Sequence, residues 1–139
     1  MYLGGTLEFE LEKIDHVHVY VRDRKQSEAW YKSVLGFYRT TALEFWAVDG
    51  GPLTLQNESG SIHLALFERQ HVDSTTVAFK VSADALDWWV NHLNGAGLPV
   101  VPVNHDVSWS IYFKDPDGNA YEITSYDYDE FASLLATTA

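Results

Sequence analysis

DHVHVYVRDRKQSEAWYKSVLGF (15–37) and TTVAFKVSADALDWWVNHLNGAGL (75–98) decide how this chain folds. Each opens with alternating apolar residues, continues as an amphipathic run and stops at glycine, which reads as strand, helix, stop. Shorter β-rich runs follow each copy: FYRTTALEFWAVDGGPLTLQ and SIHLALFE after the first, then PVVPV, SWSIYFKD and NAYEITSY after the second. The chain is therefore two β-α-β-β-β modules, about 13–68 and 74–126, with a tail over 127–139. A shared period is the mark of an internal repeat. The expected fold class is α+β: two paired modules forming a cupped, half-closed mixed sheet with helices outside, a single domain over 1–139.

The repeat aligns four positions. His16 and His63 are separated by 63−16=47 residues, Thr76 and Glu122 by 122−76=46. Three of the four carry side chains that bind divalent metals, and imidazole with carboxylate suits Fe, Zn, Mn, Ni or Co. Strand alternation puts His16, His18 and Tyr20 on one face and Val17, Val19 and Val21 on the other. In the same way His63, Ala65 and Phe67 oppose Leu64 and Leu66, while Glu122 and Thr124 oppose Ile123. Every candidate thus lies opposite the aliphatic face of its strand, where a curved sheet with helices outside has its cavity.

The helices are expected over Arg24–Leu35, capped by Asp23 and ended by Gly36, and over Ala83–Leu93. Trp30, Tyr31 and Val34 in the first, and Leu86, Trp89, Val90 and Leu93 in the second, recur at helical spacing and should face the sheet. Phe131, Leu134 and Leu135 have the same spacing in the tail, which is expected to pack on its own sheet or on a partner.

Composition limits the partners. With 46% hydrophobic residues, 139 residues suffice for one core. The net charge of −11 argues against nucleic acid and anionic membrane, both of which require a cationic surface. No apolar run spans a bilayer, and MYLGGTLEFELEK (1–13) lacks the features of a signal peptide, so a cytoplasmic location is expected. Cysteine is absent, which excludes disulfides and thiolate chemistry and leaves only nitrogen and oxygen to hold a metal.

The opening IDHVHVYVRD with its helix and LGF, the paired modules and the closing YFKDPDGNAYEI resemble the vicinal oxygen chelate superfamily over roughly 13–126. That group includes glyoxalases, extradiol dioxygenases, and fosfomycin- and bleomycin-resistance proteins. The resemblance implies a divalent metal surrounded by the four equivalent positions, here His16, His63, Thr76 and Glu122. A narrower likeness lies in Val103, His105, Ile111, Tyr112, Asp115, Pro116, Gly118 and Glu122, which follow the order of the extradiol dioxygenase signature. It implies Glu122 as a metal ligand, with His105 and Tyr112 as catalytic residues beside a small-molecule substrate. Thr76 departs from the pattern, since the resemblance puts a histidine there.

Two functions are consistent with these residues. One is a metal-dependent enzyme of the glyoxalase or dioxygenase type acting on vicinal oxygens, using His16, His63 and Glu122. The other is a metal-free small-molecule binding protein of the bleomycin-resistance type, with Tyr20, Trp46 and Trp109 against the ligand. Each candidate also has a structural reading: satisfied strand histidines at 16 and 63, and a salt-bridged Glu122. The resemblance further implies a homodimer.

Overall fold

Val19 and Val21 are buried and Val17 packs against the same core, so the alternation in β1 (Val17–Val21) orients that strand as expected. The computed structural model describes residues 8–10 and 12–138; Met1–Leu7, part of the segment read above for targeting features, lies outside them. The Asp23 side chain accepts from the Gln26 amide at 3.0 Å and starts α1 (Arg24–Trp30). The first helix is not α-helical through Leu35: Tyr31–Leu35 form a π-helical turn that ends on Gly36, whose φ of 71° is left-handed. Glycine meets that conformation without a Cβ penalty. Tyr31, Val34 and Leu35 are all buried by this turn.

The rest of module one is β2 (Tyr38–Arg39), β3 (Leu53–Gln56) and β4 (His63–Glu68). The 38–56 run expected to be β-rich is interrupted by a 3₁₀ turn at Thr41–Trp46 that buries none of its residues and is followed by an irregular stretch. Module two repeats the plan with β5 (Thr76–Lys80), α2 (Ala83–Gly95), β6 (Val103–Asn104), β7 (Trp109–Lys114) and β8 (Ala120–Ser125). Here Ser82 caps the helix by accepting from Ala85 N. Only two residues of the 100–104 region pair as strand.

The two sheets have matching orders, β1-β4-β3-β2 and β5-β8-β7-β6. In each, the first strand runs parallel to the last and the remaining pairs are antiparallel. The parallel pair follows from the helical crossover between its members. The result is two open four-stranded mixed sheets with helices around them. This equivalence of connection and pairing supports the repeat more strongly than residue identity does.

One core joins the modules. Phe37 lies 6.1 Å from Phe79 between ring centroids, Tyr31 meets Tyr121, and His92 Nε2 donates to the Val34 carbonyl at 2.7 Å. The tail is helical, α3 (Tyr128–Thr138), and buries Phe131 against Trp109 of its own sheet. Trp109 also stacks on Tyr128 and donates its indole N–H to the Tyr128 carbonyl. This aromatic therefore belongs to the packing of α3 and is not part of a ligand-facing surface.

Candidate functional site

β1 and β4 are parallel neighbours with Val17 opposite Leu64, so His16 and His63, one residue earlier in each, stand side by side at the strand starts. With Thr54, Ala65, Phe67 and Trp46 they line a cavity of about 170 Å³. The 3₁₀ turn supplies Leu43 and Trp46 to its wall, which explains why that turn buries nothing in the core. His16 and His63 also border a second cavity of about 290 Å³ with Ala78 and Lys80 of β5.

The donors of module one are held by one another. His16 Nδ1 donates to Asp15 Oδ2 at 2.8 Å, and His16 Nε2 lies 3.0 Å from His18 Nε2, with the rings stacked at 5.0 Å. The hydrogen bond from His16 holds the Asp15 carboxyl below its ordinary value, against desolvation and with help from the charges of His16, His63 and Lys13. His18 rests in turn on Phe67, at 4.7 Å between centroids, and the Arg69 guanidinium covers Phe67 and Tyr20.

The open face of module two carries the other candidates. Tyr112 of β7 is the register partner of Glu122 of β8, and Ser110 pairs with Thr124. Ser110 Oγ donates to Glu122 Oε2 at 2.7 Å and lies 2.9 Å from Thr124 Oγ1. Glu122 is half-buried, and this bond satisfies part of what a carboxylate requires away from water. His105 Nε2 and the Tyr112 hydroxyl are 2.8 Å apart, as expected of a proton-sharing pair. His105 sits in the tight turn between β6 and β7, where Asp106 takes a left-handed φ of 69°. Thr76 lies exposed on β5, and its neighbour Ala78 pairs with Glu122.

His105 with Tyr112, and His16 with His63, are thus brought together as pairs. Among the described residues no group of three His, Asp or Glu side chains is close enough to hold one ion. His16 is instead bonded to Asp15 and His18, and Glu122 to Ser110.

The largest feature the sequence did not reveal is the role of the DPDG turn. Asp115 is buried and accepts from four donors: Asp117 N (2.9 Å) and Asn119 N (2.8 Å) on Oδ1, Asn119 Nδ2 (2.8 Å) and the Tyr31 hydroxyl (2.7 Å) on Oδ2. Because the Tyr31 proton goes to Asp115, Tyr121 donates to Tyr31 across 2.8 Å. Burial, reinforced by Tyr121 and the Asp115 charge, pushes the Tyr31 hydroxyl far above its ordinary range, and burial likewise raises Tyr121. Asn119 also donates to the Tyr20 carbonyl, and Asp117 accepts from the backbone and guanidinium of Arg22. The turn therefore fastens module two to β1 and fixes how the two open faces meet. Polar residues that suit a turn gave no sign of this, and a buried tyrosine 84 residues away has no local signature.

Two β-α-β-β-β modules of matching strand order, each with ionisable side chains on its open face, define a duplicated mixed-sheet fold. Residues 13–123 match the profile of the Glyoxalase/Bleomycin resistance protein/Dioxygenase superfamily, and the chain belongs to that family. Biphenyl-2,3-diol 1,2-dioxygenase 3 of Rhodococcus globerulus is 34% identical over 64 residues, 46% of this chain and 32% of the dioxygenase. The chain thus matches about a third of the length of that relative. Lactoylglutathione lyase of Agrobacterium tumefaciens superposes with a TM-score of 0.69 at 21% identity, covering 84% of this chain and 96% of the lyase. A variant of the fosfomycin resistance protein FosX of Listeria monocytogenes, in complex with Mn(II) and a dihydroxypropylphosphonic acid, has a TM-score of 0.65 at 16% identity, covering 84% and 93%. These structures share the fold.

Proposed function

We propose that the chain is a divalent-metal-dependent enzyme of the glyoxalase or extradiol dioxygenase type, acting on a small substrate with vicinal oxygens. The observation that carries this reading is the pairing of His16 with His63 at the start of adjacent strands, on the open face and in one cavity. His16, His63 and Glu122 would hold the ion. Two imidazoles and a carboxylate fit a borderline divalent cation in donor chemistry, once His16 leaves His18 and Glu122 leaves Ser110. Mn(II) in the FosX complex supports a hard or borderline ion on this scaffold.

When bound, the ion would act as a Lewis acid toward paired substrate oxygens. The chain's own residues would do the rest. His105 and Tyr112 share a proton across 2.8 Å and Tyr112 stands beside Glu122, so the imidazole would accept a substrate hydroxyl proton while the phenol orients that oxygen. Trp46 and Phe67 wall the histidine cavity, exclude water and present flat faces to the substrate. A homodimer and a cytoplasmic location complete this proposal; no helix among the described residues is long and apolar enough to cross a membrane.

A second reading, a metal-free binding protein of the bleomycin-resistance type, is favoured by one observation: among the described residues no three metal-binding side chains converge, and a threonine occupies the fourth equivalent position. Metal content separates the two. Protein purified without chelator should carry one divalent ion per chain, and His63→Ala and Glu122→Ala should lose it. Parent-like metal content in both variants, or a metal-free parent that binds ligands unchanged after His16→Ala, would exclude the first reading.

A further inference from the structure

Of the four arginines in the chain, three pair with carboxylates: Arg22 with Asp117, Arg24 with Glu68 and Arg39 with Glu28. Arg69 is different, since no carboxylate among the described residues pairs with it. Its neighbour Glu68 points to the other face of the strand, where it accepts from the Arg24 amide at 3.1 Å. The Arg69 amide donates to the Val21 carbonyl at 2.9 Å and so carries the β1–β4 ladder one residue further. Strand alternation then puts its side chain on the open face, in one row with His63, Ala65 and Phe67. There the centre of the guanidinium lies 5.3 Å from the Phe67 ring centroid and 5.7 Å from that of Tyr20. Such contacts engage the flat face of the group and leave the forked donors of its edge to other partners. One donor goes to the Glu68 carbonyl at 2.8 Å. Phe67, on which the guanidinium rests, walls the cavity that holds His16 and His63.

We infer that Arg69 sets the specificity of this open face by binding a carboxylate at one end of a small molecule whose other end lies at His16 and His63. Two parallel N–H groups on the edge of a guanidinium meet both oxygens of a carboxylate, and the two rings hold the group in place for it. Four residues of strand separate His63 from Phe67, about 13 Å, so the carboxylate stands several bonds away from the end at the histidines. The ligand is therefore an elongated acid and not a bare ring with adjacent oxygens. At a net charge of −11 the chain repels acids at long range, and binding one calls for a local cation. Arg22, next along the open face of β1, is already committed to Asp117 at 3.1 Å. Lys80 borders the histidines from the side of β5, away from Phe67. The inference deepens the proposed function by naming a substrate class; it rests on the open face being the ligand site and not on the ion.

The test is calorimetric titration of the full chain, stripped with chelator and again with Mn(II) added, using 3,4-dihydroxycinnamate and its neutral methyl ester. A hydrogen bond between charged groups is worth roughly 10–100-fold in affinity, so the acid should bind at least about tenfold more tightly than the ester. Arg69→Met keeps an apolar stem over Phe67 and Tyr20 and removes the charge, and Arg69→Gln is the companion should the first fail to fold. Either should erase the advantage of the acid and leave the ester bound as in the parent. Lys80→Met should retain the advantage. Equal affinity of the parent for acid and ester overturns the inference. So does an advantage that survives in the Arg69 variants, or an equal loss of acid and ester in them, which a packing role would give. Acid preference in a chain that binds no Mn(II) leaves the inference standing and removes the metal-dependent reading. Mn(II) binding without acid preference does the reverse.

Discussion

Tyr31→Phe removes one buried oxygen and should be among the most damaging conservative substitutions in this chain. The ring stays, so no cavity larger than a hydroxyl opens; what is lost is the 2.7 Å bond to Asp115 and the acceptor for Tyr121 at 2.8 Å. A hydrogen bond to a charged group contributes about 1.5–3 kcal/mol, and an orphaned buried donor costs about 1–3 kcal/mol. Asp115 keeps three of its four donors and the two losses share a network, so they will not add fully. The expected destabilisation is roughly 3 kcal/mol, or a fall in Tm of about 10 °C for a chain of this size. Urea unfolding followed by tryptophan fluorescence and circular dichroism would measure it. Tyr31→Phe combined with Tyr121→Phe removes the orphaned donor and should cost about 1 kcal/mol less than the sum of the single variants. A loss under about 0.5 kcal/mol for Tyr31→Phe, or strict additivity, would refute the claim that this network fastens the modules together.

The same tyrosines predict an alkaline limit. Their folded values lie above the ordinary 10.0, so the native state holds these protons more tightly, the stabilisation is complete below pH 10 and is lost as pH rises beyond it; a flat stability curve between pH 9 and 11 would contradict this. Gly118→Ala at φ 88° meets no neighbouring atom, so its cost is conformational alone, about 1–2 kcal/mol by denaturant titration. Gly51→Ala is different: its Cβ would collide with the Trp46 carbonyl, so the 3₁₀ turn must shift, and a ligand seated against Trp46 should lose affinity more than the fold loses stability. Asp23→Ala should cost about 1 kcal/mol through the lost cap, read from the same melts.

Periodicity made the modules, the buried faces and the two capped helices legible, because alternation and helical spacing are local properties of the chain. The duplicated spacing made His16 and His63 legible as counterparts of Thr76 and Glu122, whereas the parallel pairing that sets them side by side is a matter of strand order. Local pattern failed where distant or irregular contacts decide. The 3₁₀ turn at 41–46 carries aromatics that resemble strand residues, and its path is set by the cavity it walls. Trp109 shares the core face of β7 with Ile111 and Phe113, and its ring is covered by α3, so it does not belong with the ligand-facing aromatics. Asp115 has the composition of a turn, and its principal partner stands on a helix of the other module. The side-chain state of His16 likewise depends on Asp15 and His18, a packing outcome that equivalent positions alone do not specify.

The proposed metal dependence is tested most directly by isothermal titration of the chelator-stripped chain with Mn(II) and Zn(II). It predicts saturable binding of one ion per chain that disappears in His16→Ala, a residue of the proposed ligand set. Heats no larger than dilution in the parent, or unchanged binding in His16→Ala, would contradict it.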